Sequence, residues 1–179
     1  MVKGVKGKNV APLKGALQQG VKEEECYYCF VESDGTTGPE WVKVLKKMGF
    51  PVEPSAKSVL CSPDFVPTKG QKSVIVIYNL SSLRKISMDP ESEELTVPTA
   101  EIACLLLKKL KGPELKAMRI EKLAVAHSPI SGLGGLLRML VVCDDAHGRR
   151  LSSLSDRGNS KFHGVDGVAY VKKLKEKKR

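Results

Sequence analysis

The chain is poor in aromatic residues and has no long hydrophobic run. Phe, Trp and Tyr make up 5% of its 179 residues, which leaves few rings for the stacking that RNA recognition modules use. The longest apolar runs, Ile102 to Leu107 and Met139 to Cys143, are far shorter than the roughly 18–20 residues that span a bilayer. The composition therefore excludes a membrane-spanning helix and argues against base-specific recognition.

The number of cysteines is odd, and the sequence opens without a secretory signal. The first residues, MVKGVKGKNVAP, lack the apolar segment of a signal peptide. We therefore expect a reducing, cytoplasmic setting with mostly free thiols. The five cysteines are Cys26, Cys29, Cys61, Cys104 and Cys143.

The positive charge is concentrated in two segments rather than spread over the chain. The formal net charge is +10. Residues 1–22 contain five lysines and no acid, and residues 172–179, KKLKEKKR, contain six basic residues and Glu176. The 149 residues between them contain 19 basic and 19 acidic residues. Charge blocks of this kind are typical of interaction arms that bind polyanions.

This distribution predicts three parts: a basic mobile arm over 1–22, a single core domain over 23–171 and a basic tail over 172–179. The tail is also typical of a nuclear import signal. The predicted polyanion-binding residues are Lys3, Lys6, Lys8, Lys14, Lys22, Lys172, Lys173, Lys175, Lys177, Lys178 and Arg179. The polyanion is either an anionic lipid surface or a nucleic acid, because both offer dense negative charge.

Two helices are predicted from periodicity and end signals. Residues 39–48 place Trp41, Val44, Leu45 and Met48 on one face, with Pro39 at the first position. Residues 100–111 form the second helix, which Gly112 and Pro113 terminate.

Strands are predicted over 26–33, 72–80, 118–127, 136–143 and 167–174, each rich in β-branched or alternating apolar residues. Residues 51–71, with four prolines, are predicted as an irregular connection, and residues 144–159 as a polar loop. The fold class is therefore α+β: an antiparallel sheet of about five strands, two helices packed on one face, and basic flexible tails.

Two residue pairs have the spacing of zinc ligands. Cys26 and Cys29 form CxxC, and Cys143 and His147 form CxxxH. An offset of three in a strand puts the two side chains on opposite faces, so that Cys26 and Cys29 cannot chelate without a turn. We expect buried structural cysteines and no metal, with zinc as the alternative.

No enzyme signature is found. The glycines of SPISGLGG, residues 128–135, lack the Lys-Ser/Thr of a P-loop and precede a strand, which favours a hairpin turn. His127, Asp144 and His147 form no local triad motif. We therefore expect neither a catalytic site, nor a cofactor, nor a small-molecule substrate.

The aromatic cluster Tyr27, Tyr28 and Phe30 is interpreted as part of the core. Tyr28 and Phe30 share one face of the first strand, and we expect that face to pack against Trp41. Base-specific recognition by this strand is therefore not expected.

At the level of the whole chain, the sequence resembles the matrix proteins of plant rhabdoviruses. The resemblance consists of the lysines of MVKGVKGKN, the proline-rich segment from Pro51 to Pro67, and the helices that begin at Pro39 and Ala100. The nearest string to a P-[ST]-A-P budding motif, residues 54–57, lacks the final proline. The resemblance implies a virion structural protein that self-associates, condenses a nucleocapsid and attaches it to an anionic membrane in the host cytoplasm.

The function predicted from the sequence is thus a non-enzymatic structural or adaptor protein that binds an anionic membrane, a ribonucleoprotein or both, and forms homo-oligomers. The alternative is a general RNA-binding protein of the ribosome-associated or viral movement type.

Overall fold

The structure is a computed structural model, and it describes residues 10–12, 26–83, 95–155 and 162–173. Within these ranges, nine strands form one sheet: β1 (Val10–Pro12), β2 (Cys26–Asp34), β3 (Lys69–Asn79), β4 (Leu95–Thr96), β5 (Lys122–Val125), β6 (Ile130–Ser131), β7 (Leu137–Asp145), β8 (Gly148–Ser155) and β9 (Gly167–Lys172). The helices are α1 (Gly38–Lys47), α2 (Pro54–Leu60), α3 (Leu80–Leu83), α4 (Glu101–Lys109) and α5 (Gly112–Ala117).

The strand order places β9 in the middle of the sheet. The order is β1-β2-β3-β9-β5-β7-β6, with β8 on the other edge of β7 and β4 beside the end of β9. All pairings are antiparallel except β5 with β9, which is parallel. Strand β9 thus joins a β1-β2-β3 part of the sheet to a β5-β7-β8 part.

Helices α1, α2, α4 and α5 pack on one face of the sheet. Their buried side chains, among them Trp41, Leu60, Leu106 and Leu115, form one core with Ile75 and other inward side chains of the strands. This confirms the predicted α+β class with an antiparallel sheet and helices on one face, although the structure contains more strands and helices than the sequence predicted.

Helix α1 shows how local sequence determines this layer. The Glu40 carboxylate accepts hydrogen bonds from the Thr37 N–H (2.8 Å) and hydroxyl (2.7 Å), which satisfies donors at the helix start. Trp41 and Leu45 are fully buried. Gly38 lies against α2, where a Cβ would stand 1.7 Å from the Leu60 carbonyl oxygen. The two helices approach closely because residue 38 has no side chain.

The proline-rich connection predicted over 51–71 is partly wrong. Pro54 begins α2, since proline is tolerated in the first helical turn, and β3 already begins at Lys69. Two backbone hydrogen bonds attach the start of this segment to β8. The Leu151 N–H donates to the Pro51 carbonyl, and the Glu53 N–H donates to the Leu151 carbonyl, both at 2.9 Å.

Three other boundaries also differ from prediction. Strand β8 occupies half of the predicted polar loop over 144–159 and pairs with β7 along its whole length. The strand predicted over 118–127 is limited to β5, because Met118 caps α5 and Arg119 has a positive φ of 56°, so that the chain is not extended there. Val10–Pro12, within the predicted arm, pair with β2 and so belong to the sheet.

The opposite face of the sheet carries a second apolar layer. Val76, Tyr78, Leu95 and Val168 are buried there, and Ala124, Val141 and Cys143 form a neighbouring cluster with Phe162 and Val165. Buried apolar side chains therefore lie on both faces of the sheet.

Candidate polyanion-binding surface

Two of the eleven predicted polyanion-binding residues lie in the described ranges. Lys172 is the last residue of β9, and Lys173 follows it as an exposed residue. The sequence boundary placed Lys172 in the tail, whereas the structure places it in the sheet. The other nine predicted residues lie outside the described ranges: Lys3, Lys6, Lys8, Lys14, Lys22, Lys175, Lys177, Lys178 and Arg179.

Lys172 is held by its strand neighbours. It lies directly opposite Val74 on β3 and Leu95 on β4. Its ammonium is 5.2 Å from the centroid of the Tyr28 ring, within the range of a cation–π contact. This contact directs a positive charge over the sheet face that points away from the four core helices.

Lysines from three elements, β3, α4 and β9, lie at this end of the molecule. Strand β2 ends here, β3 begins here and β9 ends here, because both β2 and β9 run antiparallel to β3. The C-terminus of α4 reaches the same place, where the Lys109 ammonium donates to the Phe30 carbonyl. We call the set the lysine end of the sheet; it consists of Lys69, Lys72, Lys108, Lys109, Lys172 and Lys173.

Two carboxylates on the ends of these strands offset the lysines only in part. Glu32 is 4.0 Å from the Lys72 ammonium, and the two side chains are 59% and 77% exposed, so that this pair is a weak, solvated contact. Asp34 accepts hydrogen bonds from the Thr36 hydroxyl and N–H. These bonds, with Lys108 as a smaller contributor, hold the pKa of Asp34 below its ordinary value. The lysine end therefore keeps an excess of positive charge at neutral pH.

A groove runs along the lysine end beside β2. Its volume is about 460 Å³, and its lining combines apolar side chains with lysines: Phe30, Val31, Glu32, Lys72, Ser73, Val74 and Lys109. A second groove of about 310 Å³ adjoins it and adds Leu105 and Lys108. Apolar floors with cationic rims are suited to amphipathic anions, whose charged and apolar parts need different contacts.

The predicted burial of Tyr28 and Phe30 against Trp41 is wrong. Cys29 and Val31 point to the core that contains Trp41. Tyr28 and Phe30 lie on the other face, and Phe30 is 61% exposed. Side chains two positions apart in a strand lie on the same face. The charged residue Glu32 therefore indicated that Phe30 and Tyr28 lie on the face away from the core. Lys69, Lys72, Lys108 and Lys109 were also missed, since counting charge along the chain does not show which strand ends meet.

The CxxC pair has the geometry that its spacing predicted. Cys29 lies in the helical core, whereas Cys26 packs on the opposite face of the sheet. Burial raises the pKa of the Cys29 thiol to about 11 and that of Cys143 to about 11, and both thiols are protonated at neutral pH. In the described part of the chain, no three His, Cys, Asp or Glu side chains form a group that could hold a metal ion.

Of the remaining polar candidates, His127 lies in the core, and Asp144 and His147 lie in the β7–β8 hairpin. His127 is buried; its Nδ1 bonds the Ser128 carbonyl (2.7 Å) and its Nε2 accepts from the Leu140 N–H (2.8 Å). Asp145 accepts from Arg150 (2.6 Å) and from the His147 N–H (2.9 Å) in the β7–β8 turn. Residues 132–135 form the predicted hairpin turn, here between β6 and β7.

Comparison of the chain with protein-family models, with curated proteins and with solved structures found no significant match. None of the helices in the described ranges has the length and hydropathy required to cross a membrane.

Proposed function

We propose that the protein is a non-enzymatic structural or adaptor protein that binds a polyanion, either an anionic membrane or a ribonucleoprotein, and self-associates. The observation that carries this proposal is the lysine end of the sheet. Six lysines from β3, α4 and the end of β9 lie there, and the sequence after Lys173 contains Lys175, Lys177, Lys178 and Arg179.

Convergence matters because binding to a polyanion depends on how many charges act together. Each lysine that neutralises a phosphate releases counterions, so that affinity rises with the number of contacts and falls with salt. Lys72 and Lys173 are exposed, and the Lys72–Glu32 contact is weak enough to exchange for a phosphate. A folded surface continuous with a basic segment supplies more simultaneous contacts than either alone.

The test compares two triple variants with the same net charge. Lys72, Lys108 and Lys173→Gln neutralises the lysine end, and Lys46, Lys47 and Lys57→Gln neutralises exposed lysines of α1 and α2. Binding of the full chain to labelled oligouridylate and to vesicles of phosphatidylcholine with phosphatidylserine is measured between about 50 and 200 mM salt. Sedimentation velocity over a concentration series measures self-association.

We expect the lysine-end variant to bind more weakly and its salt dependence to flatten. On RNA, the slope of log K against log salt should fall by about 2, since each lost contact contributes about 0.7. The α1–α2 variant should retain wild-type binding. Equal losses in both variants would show that only net charge matters, and would contradict a defined surface.

A further inference from the structure

We infer that the sheet face around Phe30 is a stacking site for single-stranded nucleic acid, which rests on the proposed polyanion binding and names the polyanion. Phe30 projects from β2 on the face opposite the four core helices. Among the aromatic side chains in the described ranges, it is the only one in the exposed class. Its ring faces solvent beside a floor formed by buried Val74.

Three lysines lie within one or two strand spacings of Phe30 or contact its backbone. Phe30, Val74 and Lys172 form one row across β2, β3 and β9, so that Lys172 lies two strands from Phe30, at about 10 Å between backbones. The next row toward the strand ends pairs Lys72 with Glu32, whose carboxylate is 4.0 Å from the Lys72 ammonium. Lys109 holds the Phe30 carbonyl from the other side. A base on the ring would therefore have lysines on several sides to receive its phosphates.

The neighbouring aromatic residue has a different role. The ring of Tyr28 lies under the Lys172 ammonium, in a cation–π contact. That contact orients the lysine toward the same sheet face, while Phe30 carries the exposed ring. An aromatic platform with cationic neighbours is the combination that binds single strands without reading their sequence, because every base has a stacking face.

A single strand fits this surface better than a duplex. Bases in a duplex are already stacked and paired, and a ring on a sheet face reaches only unstacked bases. A lipid headgroup would use the lysines alone, whereas a base uses the ring and the lysines together. Entry of the ring into lipid is the competing outcome, which the vesicle measurement detects.

The experiment measures fluorescence anisotropy of the full chain with labelled oligouridylate and with an RNA duplex of equal length, together with co-sedimentation on phosphatidylserine vesicles. Phe30→Ala removes the ring, Phe30→Trp keeps an aromatic platform, and Leu133→Ala removes another exposed apolar side chain, 71% exposed, from the β6–β7 hairpin. Thermal unfolding of each variant checks that the fold is unchanged.

We expect Phe30→Ala to weaken oligouridylate binding by about tenfold, within the range of one base–aromatic stack. Phe30→Trp should bind like wild type, with quenching of the new indole on addition of RNA. Leu133→Ala should be neutral, and vesicle binding should not depend on Phe30.

Two results would overturn the inference while leaving the proposed function in place. In the first, oligouridylate binding is salt-dependent, but Phe30→Ala binds it with the same affinity as the wild type. In the second, it loses vesicle binding as strongly as RNA binding, which would place the ring in lipid. A wild-type chain that binds neither oligouridylate nor vesicles at low salt would refute the proposed function itself.

Discussion

At the scale of single residues, one glycine determines how closely two helices pack. A Cβ on Gly38 would meet the Leu60 carbonyl oxygen at 1.7 Å and its carbon at 2.6 Å, and both are backbone atoms that cannot rotate away. The helices would have to separate, and the fully buried Trp41 and Leu45 on α1 would lose contacts with them.

Gly38→Ala should therefore destabilise the fold by about 3 kcal/mol or more, at the upper end of overpacking effects. Urea denaturation followed by circular dichroism measures this change. Lys43→Ala, an exposed position on the same helix, should change stability by less than about 0.5 kcal/mol. Similar midpoints for the two variants would mean that α1 and α2 are not packed as described.

A second residue-scale prediction concerns His127. Burial lowers the pKa of this histidine, and the Ser128 carbonyl offsets the effect only in part. Its Nε2 accepts the Leu140 N–H and therefore has no room for a proton. The neutral form stabilises the fold fully above the unfolded-state pKa of about 6.5, and this contribution is lost as the pH falls through the folded-state pKa.

Urea midpoints at pH 7.5 and pH 5 should thus differ in the wild type. His127→Gln should remove most of this difference and cost about 1 kcal/mol at pH 7.5, through a weakened buried hydrogen bond. The exposed His147→Gln serves as the control and should keep the wild-type pH dependence. A pH dependence that persists in His127→Gln would assign it to other groups.

At the scale of elements, a charged network fixes the segment before α2 to the β7–β8 hairpin. The Arg150 guanidinium contacts Glu53 (2.7 Å) and Asp145 (2.6 Å), and the Ser152 hydroxyl donates to Glu53 (2.6 Å). The hydrogen bond from Arg150 holds the pKa of Asp145 well below its usual range. Burial raises the pKa of Glu53, but the bonds from Ser152 and Arg150 outweigh that effect and lower it.

Arg150→Gln should cost about 2 kcal/mol at pH 7, as expected for bonds to charged groups. Because both carboxyl pKa values are lowered in the fold, their stabilising effect is present above about pH 4 and is lost as the pH falls through the folded-state values. The variant should show a shallower loss of stability below pH 4. Denaturation between pH 7 and pH 2 tests this, with exposed Lys116→Gln as control.

Elements specified by local signals were predictable, and elements specified by distant partners were not. Helices α1 and α4 carry their periodicity and end signals within about ten residues, and both were located within two residues of their bounds. In β8 only Leu151 is buried among eight residues, and its strand conformation comes from pairing with β7. Polar composition therefore suggested a loop. The four prolines of residues 51–71 likewise suggested an irregular connection, although α2 begins at one of them, Pro54.

The position of the candidate site could be predicted only in small part. Charge blocks predict polyanion binding, which stays a prediction, and two of the residues they name, Lys172 and Lys173, lie at the lysine end of the sheet. Four further lysines lie at the same end of the sheet because of which strand ends are neighbours: Lys69, Lys72, Lys108 and Lys109. The order of strands in the sheet determines these neighbours, and the sequence did not predict that order. Phe30 was missed because aromatic residues are buried more often than not, and that average outweighed the alternation that exposes it.

At the scale of the whole molecule, the central position of β9 has a consequence for biosynthesis. The β2–β3 pair and the β5–β7–β8 group leave the ribosome before β9, the strand that lies between them, exists. Until β9 is made, the edges of β3 and β5 that will pair with it, at Ile77 and Leu123, have no neighbouring strand. Long-range closure of this kind is slow, so the nascent chain must keep two incomplete sheet edges from pairing with other polypeptides. We therefore expect newly made chains to depend on chaperones until β9 inserts.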